Sequence, residues 1–284
     1  MPTYTVSDLT YPIYRFKNDI FSIQQMHRVG FSAMSGFHLH ESYEIYYLAK
    51  GERVYFINDR VHTVRQGDMV IINPHVLHRT TTSSEVQEFE RILINFKPEF
   101  IPSSEQLLPF VQGSCLIRFS ENEQAEIGQM MWELLRECGE QRIGYEEYVK
   151  SSLVRLLIRI RRQGLQATDK LQPFNHPMHE KVSEIAAYLN RNYSEDITLE
   201  QISKQFYISP SYLSRIFKKL TGFHFREYLL VVRVKEAQKL LRESQEKVVN
   251  IAQSVGFEHV SHFNTTFKKF VGLSPLKYRN LHKE

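Results

Sequence analysis

The chain has 284 residues, of which 42% are hydrophobic and 24% charged, with a formal net charge of +4. This length accommodates two domains with separate cores, and the composition excludes an intrinsically disordered chain. No apolar run approaches the roughly 18 residues that span a bilayer, no basic-then-apolar leader opens the sequence, and Cys115 and Cys138 lack metal or redox spacing. A cytoplasmic protein with no membrane partner is expected.

Up to residue 119 the texture is β. The runs YEIYYLAKG, RVYFIND, RVHTVRQGDMVIINP and FERILINF are short, rich in aromatic and β-branched residues, and separated by Gly, Asn-Asp or Pro. They predict separate short strands of an antiparallel sandwich or small barrel, with a hairpin turning at Asn58-Asp59.

Residues 36–51, GFHLHESYEIYYLAKG, carry the first chemical signal. His38, His40 and Glu44 are all even-numbered, so a strand of period two places them on one face. With His78 from another strand they offer three imidazoles and a carboxylate, a donor set suited to divalent Mn, Fe, Ni or Zn. The same groups can hold an organic ligand by hydrogen bonds in a mostly apolar cavity. His38, His40, Glu44 and Gly51 resemble the first motif of a cupin, although its leading Gly falls on Ser32. Gly67 and DMVIINPHVLH, ending at His78, resemble the second, with Val76 for a usual Gly and Thr82 for a later Asn. The effector-binding candidates are His38, His40, Glu44, Tyr46 and His78. Arg53 and His62 are weaker ones, and His75 is assigned to the loop surface. The expectation is a site with no metal or other cofactor; a metal, if bound, would use His38, His40, Glu44 and His78.

From Ser120 the period becomes helical. Ile127, Met130, Met131, Leu134, Leu135 and Cys138 form one stripe. Tyr145, Tyr148, Val149, Ser152, Leu153, Leu156, Leu157 and Ile160 form the next, with Val154 and Ile158 as a second strip. A helix apolar on more than one side needs more than one partner, which packing within the domain or a homodimer interface would supply. Leu153 and Leu157 are the positions at which an interface would be tested. Residues 164–177 have no period and read as a linker between a sensing and dimerisation domain, 1–163, and a helical domain, 178–284.

The C-terminal segment is basic, with 17 Lys and Arg against 11 Asp and Glu from Met178 onward, which suits a polyanionic partner. Met178, Val182, Ile185, Ala186 and Leu189 mark an amphipathic helix. Thr198 with Gln201 forms a capping-box pattern, and Ser209-Pro210 an N-cap followed by proline. The segment also repeats itself: ISKQFYISPSYLSRIFKKLTG from Ile202 returns as IAQSVGFEHVSHFNTTFKKFVG from Ile251, with one extra residue in the turn. Each copy is a short helix, a turn and a second, basic helix of the kind that enters a DNA major groove. Leu213, Ile216 and Phe217 would pack in copy one, leaving Ser211, Tyr212, Ser214, Arg215, Lys218 and Lys219 outward. Phe263, Phe267 and Phe270 would pack in copy two, leaving Ser261, His262, Asn264, Thr265, Lys268 and Lys269 outward. Residues early in such a helix reach base edges, and terminal lysines reach phosphates.

From Met178 to Leu281 the chain resembles the DNA-binding domain of the AraC/XylS family of bacterial transcription regulators. The match lies in NIAQSVGFEHVSHFNTTFKKFVGLSPLKYR, at Gly256-Phe257, Phe263, Phe267-Lys268-Lys269, Gly272, Pro275, Tyr278 and Arg279. The resemblance implies two recognition helices in successive major grooves, roughly 34 Å apart. Tyr207 departs from it by standing where Gly is common, and Thr265 by standing where a basic residue often contacts bases. The expected architecture is therefore α+β: a cupin-like β-barrel with a helical dimerisation pair, then an all-α tandem helix-turn-helix domain. The expected function is a ligand-responsive regulator of transcription, an activator of a carbohydrate or other catabolic operon, with no enzymatic turnover. Its partners would be an operator duplex, a small-molecule effector such as a sugar, RNA polymerase and a second copy. The alternative is a metal-dependent cupin enzyme with an appended helical interaction domain.

Overall fold

Fifteen residues, Tyr43–Ile57, form one long strand, β4, around which the N-terminal half is built. The structure is a computed structural model that describes residues 8–10, 13–16, 19–30, 40–57, 59–82, 88–101, 107–108, 115–164 and 177–282. The other strands are β1 (Asp8–Thr10), β2 (Tyr14–Phe16), β3 (Phe21–Val29), β5 (Arg60–Arg65), β6 (Met69–Ile72), β7 (His78–Thr82), β8 (Glu88–Phe96) and β9 (Cys115–Ile117). One antiparallel sheet runs β1-β3-β8-β4-β6-β9, with β2 also on β3. The far half of β4 pairs instead with β5 and β7. Ile57 pairs with Arg60, a register that leaves the expected two-residue hairpin loop, although Asn58 lies outside the described residues.

The expected break at Gly51 is not present. The strand continues through it because the register shifts between Leu48 and Lys50 and Gly51 takes φ +89°. A Cβ at Gly51 would lie 2.1 Å from the Glu88 carbonyl oxygen, so no other residue fits there. A bulge of this kind increases local twist and re-aims side chains. It carries β4 from one sheet into the other.

Pleating divides β4 between two cores. Tyr43, Ile45 and Tyr47 join Phe21, Ile23, Ile92, Ile94 and Phe96 under the helices. Tyr46 and Leu48 join Tyr55, Ile57, Val64, Val70, Ile72 and Phe89 on the inner face. Helix α1 (Glu121–Glu140) starts at Ser120, whose N–H donates to the Glu123 carboxylate at 2.9 Å. Its predicted stripe, Ile127 to Cys138, is buried against the sheet. Burial pushes the Cys138 thiol up to about 12, which leaves it unreactive.

Helix α2 (Tyr145–Gly164) decides between the two open readings of its main stripe. Leu153 and Leu157 are buried within their own domain, with Val149, Leu156 and Ile160, so they cannot form a subunit interface. What remains outside is the second strip, Val154 and Ile158, both half-buried. Trp132 and Tyr148 are exposed.

By its internal contacts the chain separates into two compact units, Met1–Asn175 and His176–Glu284. The expected linker lies largely outside the described residues. Its two ends are helical, since α2 runs to Gly164 and α3 (Pro177–Arg191) begins at Pro177.

The second unit is all helix: α3, α4 (Leu199–Gln205), α5 (Pro210–Thr221), α6 (Phe225–Glu243), α7 (Val248–Ser254), α8 (Val260–Val271) and α9 (Pro275–Leu281). The predicted capping box closes, with the Gln201 N–H donating to Thr198 Oγ1 and the Thr198 N–H to the Gln201 side chain. Helix α6 serves both halves. Its Phe225 and Tyr228 pack on Phe217 of α5, while Val234, Ala237 and Leu241 enter the core of Ile251, Phe257, Phe263, Phe267 and Tyr278. Arg233 of α6 donates to the Tyr193 and Glu195 carbonyl oxygens at 2.7 and 2.8 Å, tying down the loop after α3.

Candidate effector pocket and DNA interface

Glu44 is the centre of a polar cluster on the inner face of the β domain. Its side chain is almost fully buried, and its two oxygens are approached from three elements. His40 Nε2 lies 3.3 Å from Oε2, the Tyr55 hydroxyl donates to Oε1 at 3.3 Å, and His78 Nε2 is 3.7 Å from Oε1. Both imidazoles are oriented from behind. His40 Nδ1 is 2.7 Å from the Ser42 carbonyl oxygen, and His78 Nδ1 is 2.9 Å from that of Val76. A carbonyl only accepts, so each Nδ1 carries a proton and each Nε2 faces the carboxylate.

Burial would raise the Glu44 carboxyl. The hydrogen bond with His40 and the charges of His78, His40 and Arg91 outweigh it, and Glu44 is held at about 2. Burial would lower His40, but the Glu44 carboxylate and the Ser42 carbonyl raise it above its ordinary value. The cluster is thus an ion pair under cover, with His40 on its more exposed side.

Of the five effector candidates, the fold brings four together: His40, Glu44, Tyr46 and His78. The Tyr46 ring packs edge-on to Tyr55 at 5.1 Å, and the His40 and His78 rings are 5.0 Å apart. His38 lies outside the described residues. The parity argument for His40 does not hold, because β4 begins only at Tyr43 and His40 reaches Glu44 from the preceding turn. His75 is exposed, as expected, with φ +60°. The potential ligand atoms of His40, Glu44 and His78 all lie within 4.8 Å of one another. With both Nδ1 atoms tied to carbonyls, these residues could hold a divalent cation, which would polarise whatever it bound.

Sequence reasoning undervalued Arg53 and missed Tyr55 and Arg91. Across the bulge the inner face of β4 changes parity, from Glu44, Tyr46 and Leu48 to Arg53, Tyr55 and Ile57. Gly51 was the one available signal of that change. Arg53 is buried and donates to Thr80 and Thr82 at 3.3 and 3.0 Å, so the residue at the later cupin Asn position orients a guanidinium.

In the helical unit both second helices match their prediction. Leu213 and Phe217 are buried in α5, as are Phe263 and Phe267 in α8, while Ile216 and Phe270 are half-buried. Ser211, Tyr212, Arg215, Lys218, Lys219, Ser261, His262, Asn264, Thr265, Lys268 and Lys269 are exposed, and Ser214 is half-buried. Arg215 lies 5.8 Å over the Tyr212 ring. Thr265 donates its hydroxyl to the Ser261 carbonyl at 3.0 Å. The two helices end alike: Gly222 and Gly272, at φ +83° and +79°, donate to the Lys218 and Lys268 carbonyls. Tyr278 and Arg279, by contrast, belong to the scaffold. Arg279 donates to the Glu246 carbonyl at 2.6 Å and Arg242 to the Tyr278 hydroxyl at 2.5 Å.

Residues 30–157 match the family described as AraC-like ligand binding domain, and residues 202–281 match a helix-turn-helix domain. The chain carries the two domains of an AraC-type transcription regulator, a ligand-binding domain followed by a helix-turn-helix domain. It is 24% identical to the HTH-type transcriptional activator RhaR of Mannheimia succiniciproducens over 86% of each chain. It is 23% identical to the melibiose operon regulatory protein of Escherichia coli, over 87% of this chain and 84% of that one. The Msm operon regulatory protein of Streptococcus mutans is 35% identical over 38% of this chain and 41% of its own. With these two domains the protein is a DNA-binding regulator of transcription with a small-molecule-binding domain. Among the described residues, no helix is long and apolar enough to cross a membrane.

Proposed function

We propose that this protein is a cytoplasmic, homodimeric activator of a catabolic operon, that its effector is a sugar or sugar-like molecule, and that it recruits RNA polymerase. The domains would run 1–163 and 178–284, joined by 164–177. The observation that carries the reading is the pairing, on one chain, of the buried Glu44 cluster with two exposed basic helices. His40, Glu44, Tyr46 and His78 would hold the effector, with His38 beside them. Relatives named for sugar operons support the effector class.

A sensor needs only a difference in effector affinity between two states, and coupling of roughly 1–3 kcal/mol suffices. Turnover would destroy the signal. The Glu44 carboxylate already has His40 as a partner, which supports a pocket that works without a metal. The converging His40, Glu44 and His78 favour a second reading, a metal-dependent cupin enzyme. Operator binding measured by fluorescence anisotropy, with and without candidate sugars, tests the first. A sugar should change operator affinity in the parent and not in Glu44→Gln, and purified protein should carry far less than one metal per chain. Consumption of the sugar by the parent would establish the second reading instead.

A further inference from the structure

Among the described residues, the inner face of the β domain carries positive charge that its acidic side chains do not balance. Arg53 is 2% exposed. Its Nε and one Nη donate to the Thr80 and Thr82 hydroxyls, both neutral, and its guanidinium lies 4.1 Å over the Phe89 ring. Arg91, on the adjoining β8, lies 5.6 Å over the Tyr46 ring, and one of its Nη atoms is buried with no hydrogen-bond partner. Among the described residues, neither guanidinium forms an ion pair. Glu44, on the same face, is already engaged by His40 and Tyr55. The Tyr46 hydroxyl is buried beside Arg53 without a hydrogen bond of normal geometry.

A guanidinium does not shed its proton, so burial cannot be relieved by discharge. Burial and the neighbouring Arg91 charge both disfavour the charged form of Arg53, with Tyr46 and Tyr55 opposing them. Hydroxyls and aromatic faces orient an arginine but supply no counter-charge. An arginine held this way is poised for a planar or tetrahedral anion.

We propose that the effector carries an anionic group, a carboxylate or a phosphate, which Arg53 and Arg91 bind together with the Tyr46 hydroxyl. This rests on the sensor reading above and narrows it to sugar acids or phosphorylated sugars.

The test is the thermal shift of the full chain, at fixed ionic strength, with matched sets: galactose, galacturonate and galactose 6-phosphate, and the three glucose counterparts. An anionic member should raise the midpoint while its neutral parent does not. Whether the uronate or the phosphate does so identifies the group. Arg91→Met should weaken that ligand at least tenfold. Arg53→Met should abolish the shift while its ligand-free midpoint is unchanged or higher, because an apolar replacement removes a buried charge. If Arg53→Met does not fold, Arg91→Met decides. A neutral sugar that acts as strongly as its acid overturns the proposal and leaves the sensor reading intact. No shift with any member overturns both. A shift undiminished in Arg91→Met places the anion away from this pair, and one that disappears in Lys268→Ala/Lys269→Ala comes from the DNA-binding helices; either overturns the proposal.

Discussion

Tyr207 and Gly256 hold the same place in the two helix-turn-helix units and adopt the same left-handed backbone, at φ +56° and +90°. In each turn the following amide reaches back to the same position: Ile208 N–H to the Ser203 carbonyl and Phe257 N–H to that of Ala252, both at 2.9 Å. The turn geometry won over the residue, and tyrosine bears the strain. Its side chain is 95% exposed, so nothing within the described residues compensates. Left-handed backbone costs a non-glycine residue about 1–2 kcal/mol. Tyr207→Gly should therefore stabilise the protein by up to about 1 kcal/mol, the rest being offset by the greater freedom of glycine in the unfolded chain. Gly256→Ala should destabilise it by more than Tyr207→Gly stabilises. A Cβ there would lie 2.8 Å from the Ser194 carbonyl oxygen and 2.9 Å from the Arg233 guanidinium carbon. Urea denaturation of both variants checks the pair, and equal destabilisation by both would refute the account.

The repeat made the helical half legible. Two copies of one pattern fixed helix ends, core faces and outward faces at Leu213, Phe217, Phe263 and Phe267, because a helix on a core leaves a 3.6-residue imprint. The β half was legible in its strand content and in Glu44, Tyr46 and His78. Along β4 it was not legible beyond Gly51, where one shifted residue inverts which side chains face inward. The α2 stripe was found correctly but its partner stayed open between domain core and second subunit, since periodicity says that a face is covered and not by what.

Arg215 and Lys268 should fail differently on DNA. Arg215 is exposed in the first half of α5, where side chains reach base edges, and Lys268 lies in the last turn of α8. Arg215→Ala should lose roughly 1–3 kcal/mol on the cognate operator and relax preference at one base pair. Lys268→Ala should weaken specific and random duplexes alike and reduce the salt slope by about one. Thr265, its hydroxyl already donated within the helix, should be nearly neutral when changed to Ala. Equal losses for Arg215→Ala on operator and random DNA would remove it from the base-reading set.

The dimer test moves from the buried leucines of α2 to its half-buried strip. Ile158→Glu places a charge at a position that water reaches in one chain, so the chain should fold as before. Buried in a subunit interface, the same charge would be unpaired and cost several kcal/mol, enough to separate a modest dimer. Sedimentation should then show folded monomers with weaker operator binding. Leu153→Asp, at a position with no exposure, should abolish folding itself. A folded, still dimeric Ile158→Glu would place the interface elsewhere.

The Glu44 cluster should give the protein a stability signature in pH. Glu44 is held at about 2, below its ordinary 4.5, so the stability it contributes is present above 4.5 and is lost as the pH falls toward 2. His40 is raised above its ordinary 6.5, so its contribution is complete below 6.5 and is lost as the pH rises through the folded value. The pair therefore stabilises most between those limits, at about pH 5–6. Glu44→Gln keeps the shape and one hydrogen-bonding oxygen but removes the charge, at a cost of about 1–3 kcal/mol in that window. The difference in melting temperature between parent and Glu44→Gln should peak there and shrink on both sides. His40→Asn should remove the decline on the alkaline side and weaken the one below pH 4.5, because the hydrogen bond and charge of His40 are part of what holds Glu44 down. A difference that stays flat from acid to alkaline pH would mean that the carboxylate is not charged in the folded protein, and the ion-pair description of the pocket would fall with it.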